Sequence, residues 1–220
     1  GKTMLFPGNI YNYCSTDRVV TPELEQQPVT PRGAIRVRTE KLLETATRLG
    51  GLQVIVIRAG DFFGPESEKD WFDQAILREA RKGKAAILGA RGVGHAWAYL
   101  PDLARAFEMV ARTRSKLAPF ETFHFAGYFV TPEEMSAAIV AAAPVPLKVS
   151  SFPWLILSLL GIADPVMREV SKMGYLWQKP IVLRVPRLDT LLGPGFGTPC
   201  EVAVRATLTR FFPAALTVAA

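Results

Sequence analysis

"LQVIVIRAGDFFGP", residues 52–65, decides the fold of this 220-residue chain. Residues 52–58 are a nearly unbroken β-branched run, with Val54, Ile55, Val56 and Ile57 in succession. A strand with one wet face alternates polar and apolar residues. A strand without alternation is buried on both faces, as in a parallel sheet covered by helices. Ala59-Gly60-Asp61 and Gly64-Pro65 then break the run into a loop. On open parallel sheets, ligands bind beyond the carboxyl ends of the strands, so this loop is a first candidate site.

Upstream, Ile35, Leu42, Leu43 and Ala46 recur at helical spacing between residues 33 and 49, and Gly50-Gly51 stop the helix. A polar, proline-bearing loop at 14–31 precedes it, and residues 3–6, "TMLF", form a short strand. That strand runs into Pro7-Gly8-Asn9-Ile10-Tyr11, a second strand-end loop. Downstream, the pattern predicts a helix at 71–82, a strand at 85–88, a turn-rich loop from Gly89 to Gly94 and a helix at 99–113. A strand at 121–127 and a helix at 131–143 follow. The last helix opens with Thr131, Pro132 and Glu134, a capping box. Beyond Pro144 short helices and loops are expected. This alternation predicts an α/β fold: a partial doubly wound, Rossmann-like parallel sheet with a small, mostly helical C-terminal lobe. Residues 1–130 are expected to form the Rossmann-like part, with interleaved lobe segments, and 131–220 mainly the lobe.

Hydrophobic residues make up 49% of the chain and charged residues 21%, enough for a packed core. The formal charge is +6 and the pI about 9.5, but Lys and Arg are scattered. That distribution argues against nucleic acid and suits small phosphate-bearing ligands. Cys14 and Cys200 lie far apart, so neither a disulfide framework nor a metal site is expected. A reducing, cytoplasmic compartment is the expectation, and no signal peptide is read at the start. The most apolar stretch, 152–162, is about half the length of a membrane span. It is expected to be a buried or pocket-lining helix, and no membrane partner is expected. Residues 211–220 read as a frayed tail, and Ser15, Thr16 and Asp17 as a polar turn.

The two strand-end loops, in this order, resemble the extended short-chain dehydrogenase/reductase family, the NAD-dependent epimerases and dehydratases. The family's "SSxxVYG" is echoed by Pro7-Gly8-Asn9-Ile10-Tyr11, and its "RPxNVYGP" by residues 58–65, "RAGDFFGP". Its "RDFIHVDDLARA" is echoed by residues 95–106, "HAWAYLPDLARA". Two later stretches, 122–139 and 187–208, are also similar to family segments. The resemblance implies NAD or NADP as cofactor and a nucleotide-sugar-type or other small substrate. The family's glycine-rich phosphate turn has no counterpart here, because Gly89 to Gly94 does not follow the G-x-G-x-x-G order.

The family relays a proton through Ser or Thr, Tyr and Lys. The resemblance puts Pro7 at the Ser position, Arg32 at the Tyr position and Arg36 at the Lys position, with Glu40 one turn further on. Pro7 has no hydroxyl, and an arginine cannot act as a base near neutral pH. The active site is therefore expected to be atypical. Arg32, Arg36 and Asp61 are positional candidates for catalysis. Pro7, Gly8, Asn9, Tyr11, Arg36, Ala59, Gly60, Asp61 and Phe62 are candidates for cofactor contact, and His95, Trp97 and Tyr99 for substrate contact. A solvated helix face is the alternative for the arginine pair, and a loop cap for Asp61. His124, inside its strand, reads as core. Tyr175 and Lys179 make a literal Y-x-x-x-K, but Pro180 ends any helix there. An aromatic packing segment is the better reading. Three functions stay open: an oxidoreductase with an altered site, a binding or regulatory module without turnover, and an inactive fragment. The strand at 3–6 is expected to be an open edge. Self-association through it, or a homodimer through the 33–49 helix, follows as an expectation.

Overall fold

The computed structural model describes residues 1–14 and 19–213. The turn expected at Ser15 to Asp17 and most of the tail expected at 211–220 lie outside the described residues. Strand β1 (Lys2–Asn9) leads through a 3-10 turn (Ile10–Asn12) to helix α1 (Pro31–Arg48), which returns to β2 (Leu52–Ala59). Next come β3 (Asp61–Phe63), β4 (Lys84–Ile87), β5 (His95–Tyr99) and α2 (Leu100–Thr113). After β6 (Phe120–Phe125) and β7 (Tyr128–Val130), α3 (Pro132–Ala142) and β8 (Lys148–Ser151) follow. Four short helices follow among the described residues: α4 (Trp154–Leu160), α5 (Pro165–Ser171), α6 (Pro186–Leu192) and α7 (Cys200–Leu208).

The central sheet is parallel, in the order β1-β2-β6, with Pro7 opposite Ile57 and Ile57 opposite Phe123. Its middle strand is buried from Val54 to Ala59, as the unbroken β-branched run requires. Ile55, Ile57, Ala59, Phe123 and Phe125 face Leu103, Ala106 and Val110 of α2 and Leu188 and Leu192 of α6. The opposite face meets α1, where Glu40 pairs with Arg58. Helices thus cover both sides, which makes the sheet doubly wound. Two smaller sheets lie beside it: β3-β5-β7, in which β7 runs antiparallel, and the parallel pair β4-β8. They share a second core with α3, α7 and the segment 172–177.

Helix α1 begins earlier than periodicity alone suggests, because Thr30 accepts from Gly33 N at 3.1 Å and Pro31 fills the first turn. The capping box of α3 is present, with Thr131 and Glu134 bonded reciprocally. One expectation is corrected. Residues 71–82 are not one helix: a π turn (Phe72–Ile76) and a 3-10 turn (Ala80–Lys82) replace it. Leu77 N donates to Phe72 O, and the extra residue in that turn lets Phe72, Ala75, Ile76 and Leu77 all face the core. The apolar stretch at 152–162 takes the second of its two expected places: Phe152 and Leu157 line a pocket, while α4 contains no buried residue and Leu155 is 75% exposed.

A buried polar network lies on the face of the central sheet that α1 covers. Arg58 Nη2 donates to Glu40 Oε2 at 2.6 Å, and both side chains are 3% exposed. Arg58 Nη1 donates to Tyr13 Oη. His124 Nδ1 lies 3.2 Å from Val20 O and Nε2 lies 3.1 Å from Tyr13 Oη. Only one tautomer satisfies both contacts: Nδ1–H donates to the carbonyl and Nε2 accepts from the phenol. His124 is core, as its place in β6 suggests.

Candidate functional site

The carboxyl ends of β1 and β2 lie side by side, with Asn9 opposite Ala59. Asn9 Oδ1 accepts from Tyr11 N at 3.0 Å, which turns the chain sharply and sends Tyr11 back over the strand ends. The Tyr11 hydroxyl donates to Asp61 Oδ1 at 2.8 Å and accepts from Trp71 Nε1 at 3.2 Å. Asp61 opens β3, which pairs with β5 so that His95 Nε2 sits 2.8 Å from Asp61 Oδ2. Asp61 and His95 are both buried. Burial first, and then the charge of Asp61, pushes the Tyr11 phenol well above its usual 10. Tyr11 therefore stays protonated as a donor and cannot take the role of the family's tyrosine base.

A cavity of about 690 Å³ opens on this chain of bonds. It brings together seven residues singled out from the sequence: Asn9, Tyr11, Arg32, Arg36, Gly60, Asp61 and Phe62. Arg32 and Arg36, one turn apart on α1, make no ion pair among the described residues. The other sequence candidates lie elsewhere. Pro7 is within β1, Gly8 packs on Arg58, and Ala59 is fully buried. His95 reaches the cavity wall only through Asp61. Trp97 sits in the second core among Phe63, Phe72 and His95. Tyr99 lines a separate cavity of about 580 Å³ beside Asp102 and Thr198. The Gly89 to Gly94 loop offers no free cradle at Gly92, whose N–H donates to Glu133.

The small residues at the strand ends have a packing reason. A Cβ on Gly60 would lie 2.0 Å from Ala96 O, and one on Gly8 would lie 2.7 Å from Arg58 Cγ. Backbone at Ala96 cannot yield as a side chain can, so Gly60→Ala is expected to cost roughly 2 kcal/mol or more. A shift in the urea midpoint measures it. An unchanged midpoint would mean that β3 and β5 separate easily. Sequence reasoning missed Trp71, Arg78, Val166, Met167 and Val170, whereas Leu157 lies in the stretch expected to be buried or pocket-lining. The aspartates and tryptophan of "DWFDQ" were the available signal.

No family profile matches the chain, and no curated protein does. Solved structures do. UDP-glucuronic acid 4-epimerase from Bacillus cereus, in complex with UDP-glucuronic acid and NAD, superposes with a TM-score of 0.75 at 12% identity, over 96% of this chain and 62% of the epimerase. RMD from Pseudomonas aeruginosa, complexed with NADPH, gives 0.70 at 17%, over 95% and 66%. The dTDP-glucose 4,6-dehydratase of Streptomyces venezuelae, with NAD bound, gives 0.67 at 15%, over 96% and 60%. The chain has the fold of these enzymes. It spans less than two thirds of the length of each. Within this epimerase and dehydratase fold, the cavity lies where a doubly wound sheet binds ligands, beyond the carboxyl ends of its parallel strands.

Proposed function

We propose that the chain is an NAD(P)-dependent epimerase- or dehydratase-like oxidoreductase with an atypical active site, acting on a nucleotide-sugar-type substrate. One observation carries this reading: Arg32 and Arg36, which make no ion pair among the described residues, line the same cavity at the strand ends as Tyr11 and Asp61, and the buried His95 backs Asp61. The arginines suit a diphosphate, since each presents a fork of donors that matches phosphate oxygens. A nicotinamide, when bound, supplies hydride transfer. The protein's own part is to anchor the charged ligand through Arg32 and Arg36. Asp61, held from behind by His95 and from the side by Tyr11, is the carboxylate placed to exchange a proton with it.

Arg36→Ala is expected to weaken NAD or NADP binding about tenfold or more, the cost of one charge-assisted hydrogen bond. Titration calorimetry measures it, and unchanged affinity would make Arg36 a solvated helix residue. Asp61→Asn should keep binding and abolish turnover on a panel of UDP- and dTDP-sugars. The second reading, a binding module without turnover, is favoured by Pro7, Arg32 and Arg36 at the family's catalytic positions. Binding by the unaltered chain without turnover on that panel selects it. No binding of either nucleotide or of any nucleotide sugar overturns both.

A further inference from the structure

His95 and Trp177 each hold one polar atom that the protein does not use. His95 Nε2 faces Asp61 Oδ2 at 2.8 Å, but Nδ1 has no partner among the described residues. Trp177 Nε1 has none either. Both side chains are buried, at 2% and 3% exposure. A buried polar atom without a hydrogen bond is rare in a native fold, because unfolding lets water bond it. Packing fixes both rings. His95 touches Trp97 and Trp177 at centroid distances of 5.3 and 5.4 Å, and Trp177 is packed in turn against Trp71 and Trp154.

The two rings line one small cavity in the second core, between β4, β5 and α3. Its other walls are mainly aliphatic, with Ile76, Leu88, Met135 and Ile139 among them. Ser136, the remaining polar side chain there, already donates to Glu133 O. The cavity measures about 20 Å³. A single water needs roughly 10–15 Å³ and at least two polar partners. The two ring centroids lie closer together than two hydrogen bonds end to end, about 6 Å. We propose that one water binds here, between Trp177 Nε1 and His95 Nδ1, and that it decides which nitrogen of His95 carries the proton. An indole N–H can only donate. The water oxygen accepts from it and turns an O–H toward Nδ1. Nδ1 is then the bare nitrogen of the neutral ring, and the proton sits on Nε2, aimed at Asp61. Tyr11 donates to the other carboxylate oxygen, so both oxygens of Asp61 accept. Trp177 is thereby a positioning residue for Asp61, acting through the water and His95. The water site stands on this geometry alone, and its bearing on turnover rests on the role proposed for Asp61.

Nitrogen-15 NMR of the histidine-labelled chain tests it. No nucleotide or sugar is present, so the outcome is separable from that of the proposed function. The chain has only two histidines, and His124→Gln assigns them. His95 is expected to show the Nε2–H tautomer near neutral pH, opposite to the Nδ1–H form of His124. Trp177→Phe keeps an aromatic ring and removes the donor. It should shift the His95 Nδ1 resonance and leave those of His124 in place. A crystal structure of the unaltered chain should show a water oxygen within about 3.2 Å of both nitrogens. A proton on His95 Nδ1 overturns the proposal. So does an Nδ1 resonance that ignores Trp177→Phe, or a crystal structure without a water between the rings. Should circular dichroism show that Trp177→Phe does not fold, the tautomer and the water of the unaltered chain decide alone.

Discussion

Replacing Glu40 with alanine is expected to lower the free energy of unfolding by about 3–5 kcal/mol. Glu40 takes every donor that Arg58 aims at it: Nε contacts both carboxylate oxygens at 3.2 and 3.1 Å, and Nη2 reaches Oε2 at 2.6 Å. It also accepts from Asn12 at 2.8 Å and Gln26 at 3.2 Å. Burial alone lowers the pKa of Arg58, yet Glu40, with Tyr13 in support, more than reverses this and holds it above its ordinary value. Without Glu40, a guanidinium that cannot shed its proton stays inside the core with Tyr13 Oη and Pro22 O as its remaining partners. Arg58→Met/Glu40→Leu should cost less than Glu40→Ala, because the pair's desolvation disappears with the pair. Urea unfolding at constant m-value measures both. A loss below about 1 kcal/mol for Glu40→Ala would mean that Arg58 finds water.

Acidification is the second large effect. Burial first, and the Arg58 charge next, lower the His124 pKa from 6.5 to about 4. The unfolded chain therefore binds a proton at pH values where the folded one does not. Stability is at its full value above pH 6.5 and falls as the pH drops toward 4. The loss reaches about 3 kcal/mol once both limits are passed. His124→Gln keeps an acceptor for Tyr13 and a donor for Val20 but does not titrate. It should flatten the stability profile between pH 6.5 and 5, above the range of most carboxylates. Equal slopes in variant and parent would mean that His124 titrates normally.

The layers of this fold were legible from a few residues. The run at 54–57 marks an inner parallel strand, Gly50-Gly51 ends α1, and Thr131 to Glu134 opens α3. The strand-end loops were legible too, and five candidates from them meet Arg32 and Arg36 of α1 in one cavity. Strands of three residues, such as Asp61–Phe63 and Tyr128–Val130, carry no period long enough to read. The order of hydrophobic residues at 71–82 suits a helix, but tertiary packing favours a π turn that buries one more of them. Glycine had a hidden ambiguity: at Gly60 it serves the close approach of Ala96, a contact that only the folded chain reveals. Apolar content likewise does not say which side of a short helix is covered, which is why both a buried and a pocket-lining place were open for α4.

The hairpin of α4 and α5 is a partition one helix thick. Leu157 looks into the cavity while its sequence neighbour Ile156 looks out. Whatever fills the inner space must press on the same turn of backbone that carries the outer side chains. A small environment-sensitive dye attached to a cysteine at position 156 would therefore report occupancy of the cavity from outside, without entering it.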